Sequence, residues 1–494
     1  MFIMHIALQG CLRAHDVPFG LTADTGGHIK YLLELVDAAE KAGAERQDIV
    51  VRRFEDPRLG RIYAQREERV SSRSRIMRID GDTTRYLPKE ELWPELPTLA
   101  RNLIAEIALM DRVPDAVHAH YADAGWIGAE IRERLGIPLI FTAHSLGRVK
   151  AATLEAEPDG ALRRRIAIEE RAIAAADRIV TSSTDEAVGQ YGLYASTEQS
   201  AIKVNPPGCD LTPAAASATT DHELERSVSR FLDDPSKRAL LALARPVRKK
   251  NLVGLVEAYA SSPELRDRAN LIVFAGTRDD LADEEPENAA VLRELLLAVD
   301  RHDLWGSVAL PKHHRPDQVP DIYAWARARR GVFVNTALNE PFGLTFLEAA
   351  AAGLPVVATR SGGPNDIVGN LEHGILVDPL VPTQTVEASL ALLTDDVRYE
   401  RCARNARERI GHYSWSRHAD DYLRDVSRIA GRSVLMPNRE IESRTNRGGY
   451  SERIDAVSTT SLVEGMRGAR QATRKPVSSD ATASSSIRIA APRT

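Results

Sequence analysis

Short, almost unbroken apolar runs recur along the chain, and each is followed by a stretch whose apolar positions return every three to four residues. In the first part the runs fall at 4–8, 116–119, 139–142 and 179–182; in the second they fall at 240–244, 271–275, 332–335, 356–359 and 375–377. Runs without alternation predict strands buried on both faces, and the periodic stretches between them predict the covering helices of a parallel sheet. After "DTGG" the stripe Ile29, Leu32, Leu33, Val36 follows the i, i+3, i+4, i+7 rule of an amphipathic helix. The expected class is α/β, with two doubly wound, Rossmann-like halves. In such sheets the ligand cleft lies at the carboxyl ends of the strands.

The rhythm breaks at "NPPGCDLTPAAASATTD", which begins at Asn205 and is rich in Pro, Ala, Ser and Thr. This reads as a connection between domains. The expected division is a first domain over 1–208, a linker over 209–235, a second domain over 236–410 and a closing helix over 411–431. Residues 432–494 hold 11 Lys and Arg against 6 Asp and Glu and few large apolar residues, the composition of a basic disordered tail. With 494 residues, 43% hydrophobic and 27% charged, the chain has enough apolar content for two cores. A net charge of −5 gives no bulk basic field for nucleic acid. Cys11, Cys209 and Cys402 have neither metal nor disulfide spacing, which fits a reducing, cytoplasmic setting. No apolar run approaches the roughly 20 residues of a membrane helix, and "MFIMHIALQG" reads as a strand rather than a signal peptide.

The candidate chemistry sits where predicted strands meet helices. In "DTGGHIKY", Gly26 and Gly27 let the backbone approach a ligand at a helix start, although a tight turn alone accounts for the pair, and G-x-G-x-x-G is not present. In "ARPVRKKN", Arg245 and Lys250 follow a strand and suit a diphosphate; a solvated basic turn is the alternative. In "EPFGLT", Pro341 and Gly343 exclude a regular helix before Leu344, so the amides of the next helix face the cleft. Glu340 and Glu348 flank this turn. A carboxylate repels a phosphate but accepts hydrogen bonds from hydroxyls, so these residues together suit a nucleotide sugar; a helix cap and a solvated glutamate are the alternative. In "FTAHSLGRVK", His144 and Ser145 follow a strand, where adjacent side chains diverge, so they do not form a nucleophile–base pair. Without carboxylate–His or Cys/His spacing for a metal, His144 is read as orienting a substrate hydroxyl.

Together with "YLPKEELWP", "HAHYADAG", "RRIAIEE", "GTRDDL", "LPKHHRPDQVPDIY" and "GGPNDI", these stretches resemble the retaining glycosyltransferases of the sucrose-phosphate synthase type over roughly 1–430. The resemblance implies the GT-B arrangement, two facing Rossmann-like domains with a last helix crossing back to the first. It implies transfer of glucose from UDP-glucose to fructose 6-phosphate, giving sucrose 6-phosphate and UDP. Close alternatives are a related enzyme with another donor, such as GDP-mannose for a mannosylfructose phosphate, or a sucrose synthase; a silent sugar-nucleotide sensor is a further one. By motif, Glu340 takes donor-sugar hydroxyls, Glu348 the ribose, Arg245 and Lys250 the diphosphate, and His144 the transferred sugar. Gly27, Phe342, Gly343, Leu344 and Thr345 join the donor site; Gly26, His28, Tyr121, Lys89, Lys150 and Arg165 join the acceptor site, the last three around its phosphate. The family usually has Gln where this chain has His28. No metal or other cofactor is required by these residues, with Mg2+ stimulation left open, and a separate sucrose-phosphate phosphatase is an expected partner in metabolism. The chain is also expected to lack the family's regulatory extension and a fused phosphatase domain.

Overall fold

A computed structural model of the chain describes residues 1–18, 22, 24–152, 157–209 and 222–433. The first sheet has eight strands: β1 (Phe2–Ile6), β2 (Arg46–Arg52), β3 (Glu67–Arg69), β4 (Ser74–Ile79), β5 (Ala116–His120), β6 (Leu139–Thr142), β7 (Arg178–Thr181) and β8 (Ile202–Val204). Their order is β3-β4-β2-β1-β5-β6-β7-β8, and every pair is parallel except β3 with β4. The second sheet has six parallel strands: β9 (Arg238–Leu243), β10 (Ala269–Phe274), β11 (Val308–Ala309), β12 (Val332–Asn335), β13 (Val356–Thr359) and β14 (Gly374–Val377), in the order β11-β10-β9-β12-β13-β14. In each sheet the first strand in sequence lies inside, so β1 and β9 mark the points where the winding reverses.

The expected runs at 139–142, 332–335 and 356–359 coincide with β6, β12 and β13, and the others differ from their strands by one or two residues at an end. Five strands carry no such run. β2 and β4 each carry two arginines and bury polar residues, including Asp48, which pairs with Arg75 at 3.0 Å. β3, β8 and β11 span only two or three residues.

Helices fill both faces. The helix Tyr121–Leu135 lies so close to its neighbours that a Cβ on Gly125 would stand 2.7 Å from the Cβ of Ala172 and 2.8 Å from the ring of Phe141. Only glycine permits that approach. The segment expected as linker contains the helix His222–Ser229, whose Leu224 and Val228 belong to the core beneath the second sheet. Linker residues 210–221 and tail residues 434–494 lie outside the described residues. The last helix, Trp415–Ser433, is two residues longer than its expected end. It crosses to the first domain, where Tyr422, Val426 and Ile429 pack with Ile3, Leu35, Ala116 and Val180. His418 anchors it by accepting the chain's return: its carbonyl takes a bond from Asn205 Nδ2 at 3.1 Å, and its Nδ1 meets the Pro206 carbonyl at 2.8 Å.

Candidate functional site

The residues singled out from the sequence gather at the carboxyl ends of central strands in both sheets. In the second domain, Arg245 follows β9, and Glu340 lies five residues past the end of β12. The Glu340 backbone is fixed on both sides, its N–H donating to Ser361 O and its C=O accepting from Gly363 N, each at 3.0 Å. Its carboxylate meets Lys250 Nζ at 2.5 Å, and Asn335 Nδ2 donates to the same oxygen at 3.4 Å. Arg245, by contrast, is exposed and makes no ion pair with a described residue.

Gly343 takes φ 105°, in the left-handed region, and starts the helix Leu344–Ala351 at the expected residue with no side chain capping it. Phe342, Gly343, Leu344 and Thr345 therefore surround an uncapped helix start, where backbone N–H groups favour an anion. Glu348 lies one turn further on and accepts from the Tyr323 hydroxyl at 3.1 Å. Burial holds its carboxyl above the usual range, partly offset by that bond and by the ammonium of Lys30. Lys30 belongs to the helix Gly27–Lys41 of the first domain, so that helix and Glu348 face each other. At a second crossing the Thr184 N–H donates to Asp366 Oδ2 at 2.5 Å.

In the first domain the helix start at Gly26 and Gly27 is also uncapped, and a Cβ built on either glycine meets nothing within 4 Å. Open space there is what a ligand approaching the backbone needs. Beside it a cavity of about 50 Å³ is lined by Gln9, Lys89, Trp93, Tyr121, Ser145 and Arg165. Lys89 and Arg165 are the cations. Lys89 Nζ stands 3.7 Å from Asp24 Oδ1, and Arg165 pairs with Glu169 at 2.8 Å while donating to the Ser145 hydroxyl at 2.9 Å. Lys150 is exposed on the short helix Gly147–Ala152 and does not line the cavity.

Tyr121 follows β5 directly and His144 lies two residues past the end of β6; they take φ 74° and 56°, values that strain a residue with a Cβ by about 1–3 kcal/mol. Their rings are 5.3 Å apart, and the His28 ring stands edge-on to Tyr121 at 4.9 Å. Burial lowers the pKa of His28 to about 4 and of His144 to about 3, so both are neutral at pH 7.

Gln9 and Asp123 escaped the sequence reading. Gln9 Nε2 donates to Asp123 Oδ1 at 2.9 Å, and the other Asp123 oxygen is buried without a partner. Burial raises the Asp123 pKa to about 6. The available signal was a polar residue just past an apolar strand in one case and an acid within "HAHYADAG" in the other. Among the described residues one group has metal-ligand proximity, His5, His118 and His120, all buried, with nitrogens within 4.8 Å of one another. Both nitrogens of His118 are already engaged, by the Tyr422 hydroxyl at 3.0 Å and the Thr142 hydroxyl at 2.9 Å.

Two facing Rossmann-like domains whose chemistry lies at the strand ends define the GT-B class. Residues 26–191 match the family model "Glycosyl transferase 4-like domain" and residues 225–409 match "Glycosyl transferases group 1". The chain belongs to the glycosyltransferases that join these two domains. It is 35% identical to sucrose-phosphate synthase 4 of Arabidopsis thaliana over 504 residues, 87% of this chain and 48% of that protein. To the sucrose-phosphate synthase of Spinacia oleracea it is 34% identical, covering 89% of this chain and 48% of that one. The chain thus spans about half the length of the curated relatives it matches. Among solved structures, a sucrose-phosphate synthase from Thermosynechococcus elongatus shares the fold with a TM-score of 0.65 at 23% identity, over 87% of this chain and 99% of that one. An Anabaena protein crystallised with UDP does so with a TM-score of 0.60 at 16% identity, over 86% of this chain and 100% of that one. No helix among the described residues is long and apolar enough to cross a membrane.

Proposed function

We propose that the chain is a retaining hexosyltransferase that moves glucose from UDP-glucose to fructose 6-phosphate, forming sucrose 6-phosphate and UDP. The observation that carries this reading is the division of charge across the cleft. The second domain offers a carboxylate, an uncapped helix start a few residues along the chain from it and, brought in by the fold, a lysine in contact with the carboxylate, as a sugar joined to a diphosphate requires. The first domain offers a small cavity with two cations, as a phosphorylated acceptor requires. A neutral acceptor such as fructose has no use for Lys89 and Arg165.

On this reading the Lys250–Glu340 pair separates when donor enters. The ammonium turns to the diphosphate, with Arg245 and the amides of Leu344 and Thr345, and the carboxylate accepts from sugar hydroxyls. Glu348 accepts from the ribose. Lys89 and Arg165 hold the acceptor phosphate, with Lys150 at the rim, and Gly26, Gly27, His28 and Tyr121 border the acceptor sugar. The acceptor hydroxyl then attacks the anomeric carbon on the face the diphosphate leaves. The bond to the diphosphate oxygen breaks, and that oxygen takes the hydroxyl proton while the cations absorb its charge. No enzyme nucleophile is needed.

The test is a panel of UDP-glucose and GDP-mannose against fructose 6-phosphate and fructose, with products weighed by mass spectrometry. A hexosyl-fructose phosphate from UDP-glucose and fructose 6-phosphate is expected. Product only from GDP-mannose, product only with free fructose, or donor binding without product would each replace the proposal.

A further inference from the structure

We infer that the buried side-chain amide of Gln47 fixes the order of protons along His5, His120 and His144, and thereby presents His144 Nδ1 to the cleft as a hydrogen-bond acceptor.

The argument starts at the amide. Gln47 is fully buried, and its Nε2 donates to the Val36 carbonyl at 2.7 Å and to the Ser74 hydroxyl at 3.3 Å. A carbonyl only accepts, so the amide cannot be turned around, and Oε1 is held toward His5 Nε2 at 3.4 Å. That oxygen also only accepts, so His5 Nε2 carries the proton. Burial keeps the His5 ring neutral, its pKa lowered to about 4, which leaves Nδ1 bare. His5 Nδ1 lies 3.5 Å from His120 Nε2, which must therefore carry the next proton. His120 is neutral for the same reason, so its Nδ1 is bare; it faces His144 Nε2 at 3.0 Å, which carries the third. The order ends at His144 Nδ1, bare and without a hydrogen bond to any described residue.

The sheet supplies the register. His5 on β1 stands opposite His118 on β5, and His120 lies two residues along the same face. A metal ion is the competing occupant of this cluster. It would need a nitrogen of His118, and both are held by hydroxyls at 2.9 and 3.0 Å.

Gln47, His5 and His120 are positioning residues: they set which nitrogen of His144 can accept. The use of that acceptor, to take a bond from a hydroxyl of the transferred sugar, rests on the proposed hexosyl transfer; the proton order does not. The full chain with ¹⁵N-labelled histidine, observed at pH 7.5 by long-range ¹H–¹⁵N correlation, reads each ring nitrogen as protonated or bare. The wild type is expected to show Nε2–H for His5, His120 and His144. Gln47→Leu removes the terminal acceptor and His5→Phe cuts the chain one link further on, so each should move part of the His144 population to Nδ1–H; if one variant fails to fold, the other still decides. With UDP-glucose and fructose 6-phosphate, both variants should lose about tenfold in kcat while donor KM stays within about twofold. A wild-type His144 protonated on Nδ1, an unchanged Nε2–H pattern in the variants, or one metal per chain bound through His5 and His120 overturns the inference. A wild type that makes no product yet shows the expected protons removes the transfer and upholds the proton order.

Discussion

Acid should open the first domain before the second. Four sealed histidines belong to the first domain and the helix docked on it, His5, His118, His120 and His418, and one, His373, belongs to the second. Burial lowers the pKa of His5, His373 and His418 from 6.5 to about 4, and those of His118 and His120 well below 6.5. A group whose folded pKa lies below its unfolded one gives stability that is whole above the unfolded value and is lost as the pH falls toward the folded value. Between pH 7.5 and 5.5 each ring gains its proton in the unfolded chain alone, which costs about 1.3 kcal/mol of stability per ring. Asp123 acts in the opposite sense: burial raises its pKa to about 6, so the folded chain takes its proton first. That returns about 0.8 kcal/mol over the same range. Glu186 in the first domain and Glu348 in the second, also raised by burial, add in the same direction as Asp123.

His28 and His144, lowered by burial to about 4 and about 3, add two more rings to the first domain, and His314, also lowered, adds to the second, so the first is left with a loss of about 6–7 kcal/mol and the second with about 1–2 kcal/mol. Domain stabilities of roughly 5–15 kcal/mol make the first loss visible and the second marginal. Hydrogen exchange read by mass spectrometry at pH 7.5 and 5.5, at constant ionic strength and corrected for intrinsic exchange, resolves the two halves. Peptides from β1, β5 and the helix Trp415–Ser433 should lose protection while those from β9 and β12 keep theirs. Equal loss in both halves, or earlier loss in the second, would refute the reasoning.

Glu340→Gln should lower turnover strongly at saturating donor while the fold survives, because a neutral amide accepts more weakly from sugar hydroxyls; turnover near that of the wild type removes Glu340 from the site. Lys250→Ala should raise the barrier by roughly 2–4 kcal/mol and also leave the Glu340 carboxylate unpaired, so a modest fall in melting temperature should accompany the loss of rate. An unchanged kcat and donor affinity would contradict the assignment. Lys89→Ala should raise the KM for fructose 6-phosphate at least about tenfold, about 1.4 kcal/mol, with donor affinity little changed. Lys150→Ala should do so less, since Lys150 does not line the cavity; equal effects would put both lysines on the phosphate. Gly343→Ala meets both a φ of 105° and a Cβ placed 2.6 Å from the Phe346 ring, and should destabilise by about 1–3 kcal/mol. A melting temperature equal to that of the wild type would show that the turn relaxes.

How much of this could be read from the chain depends on the range of the interactions. β6, β12 and β13 are apolar throughout because both faces are covered, so their signal is local. β2 and β4 lack it because they bury charge that is neutralised far away in sequence. Arg52 at the end of β2 pairs with Glu95 at 2.7 Å, both sealed from solvent, and the buried Arg78 in β4 pairs with the partly buried Glu68 at 2.5 Å. A buried ion pair reads as two polar residues until the fold brings them together. The donor side was legible because Glu340, Gly343, Leu344 and Glu348 lie in one stretch, where one turn and one helix place them. The acceptor side was half legible: Lys89 and Arg165 stand out as charges, but Gln9 reaches Tyr121 and the rest of the cavity only through the parallel pairing of β1 and β5.

The Lys250–Glu340 contact resolves why a carboxylate sits where a diphosphate is proposed to bind. Alone, Glu340 would repel the donor, and Lys250 alone would be a partly buried unpaired cation. Paired at 2.5 Å, with side-chain exposures of 17% and 10%, each supplies the other's counter-charge before any ligand enters. A nucleotide sugar brings an anion and a set of hydroxyls together, so each member exchanges its partner for one of like kind: the ammonium trades a carboxylate for a phosphate, and the carboxylate trades an ammonium for hydroxyl donors. A free sugar satisfies only the carboxylate, and an inorganic anion satisfies only the lysine. Either would leave one desolvated charge unmatched, at a cost of several kcal/mol. The pair therefore discriminates in favour of ligands that carry both groups, and it does so with residues 90 positions apart in sequence that only the adjacency of β9 and β12 brings into contact.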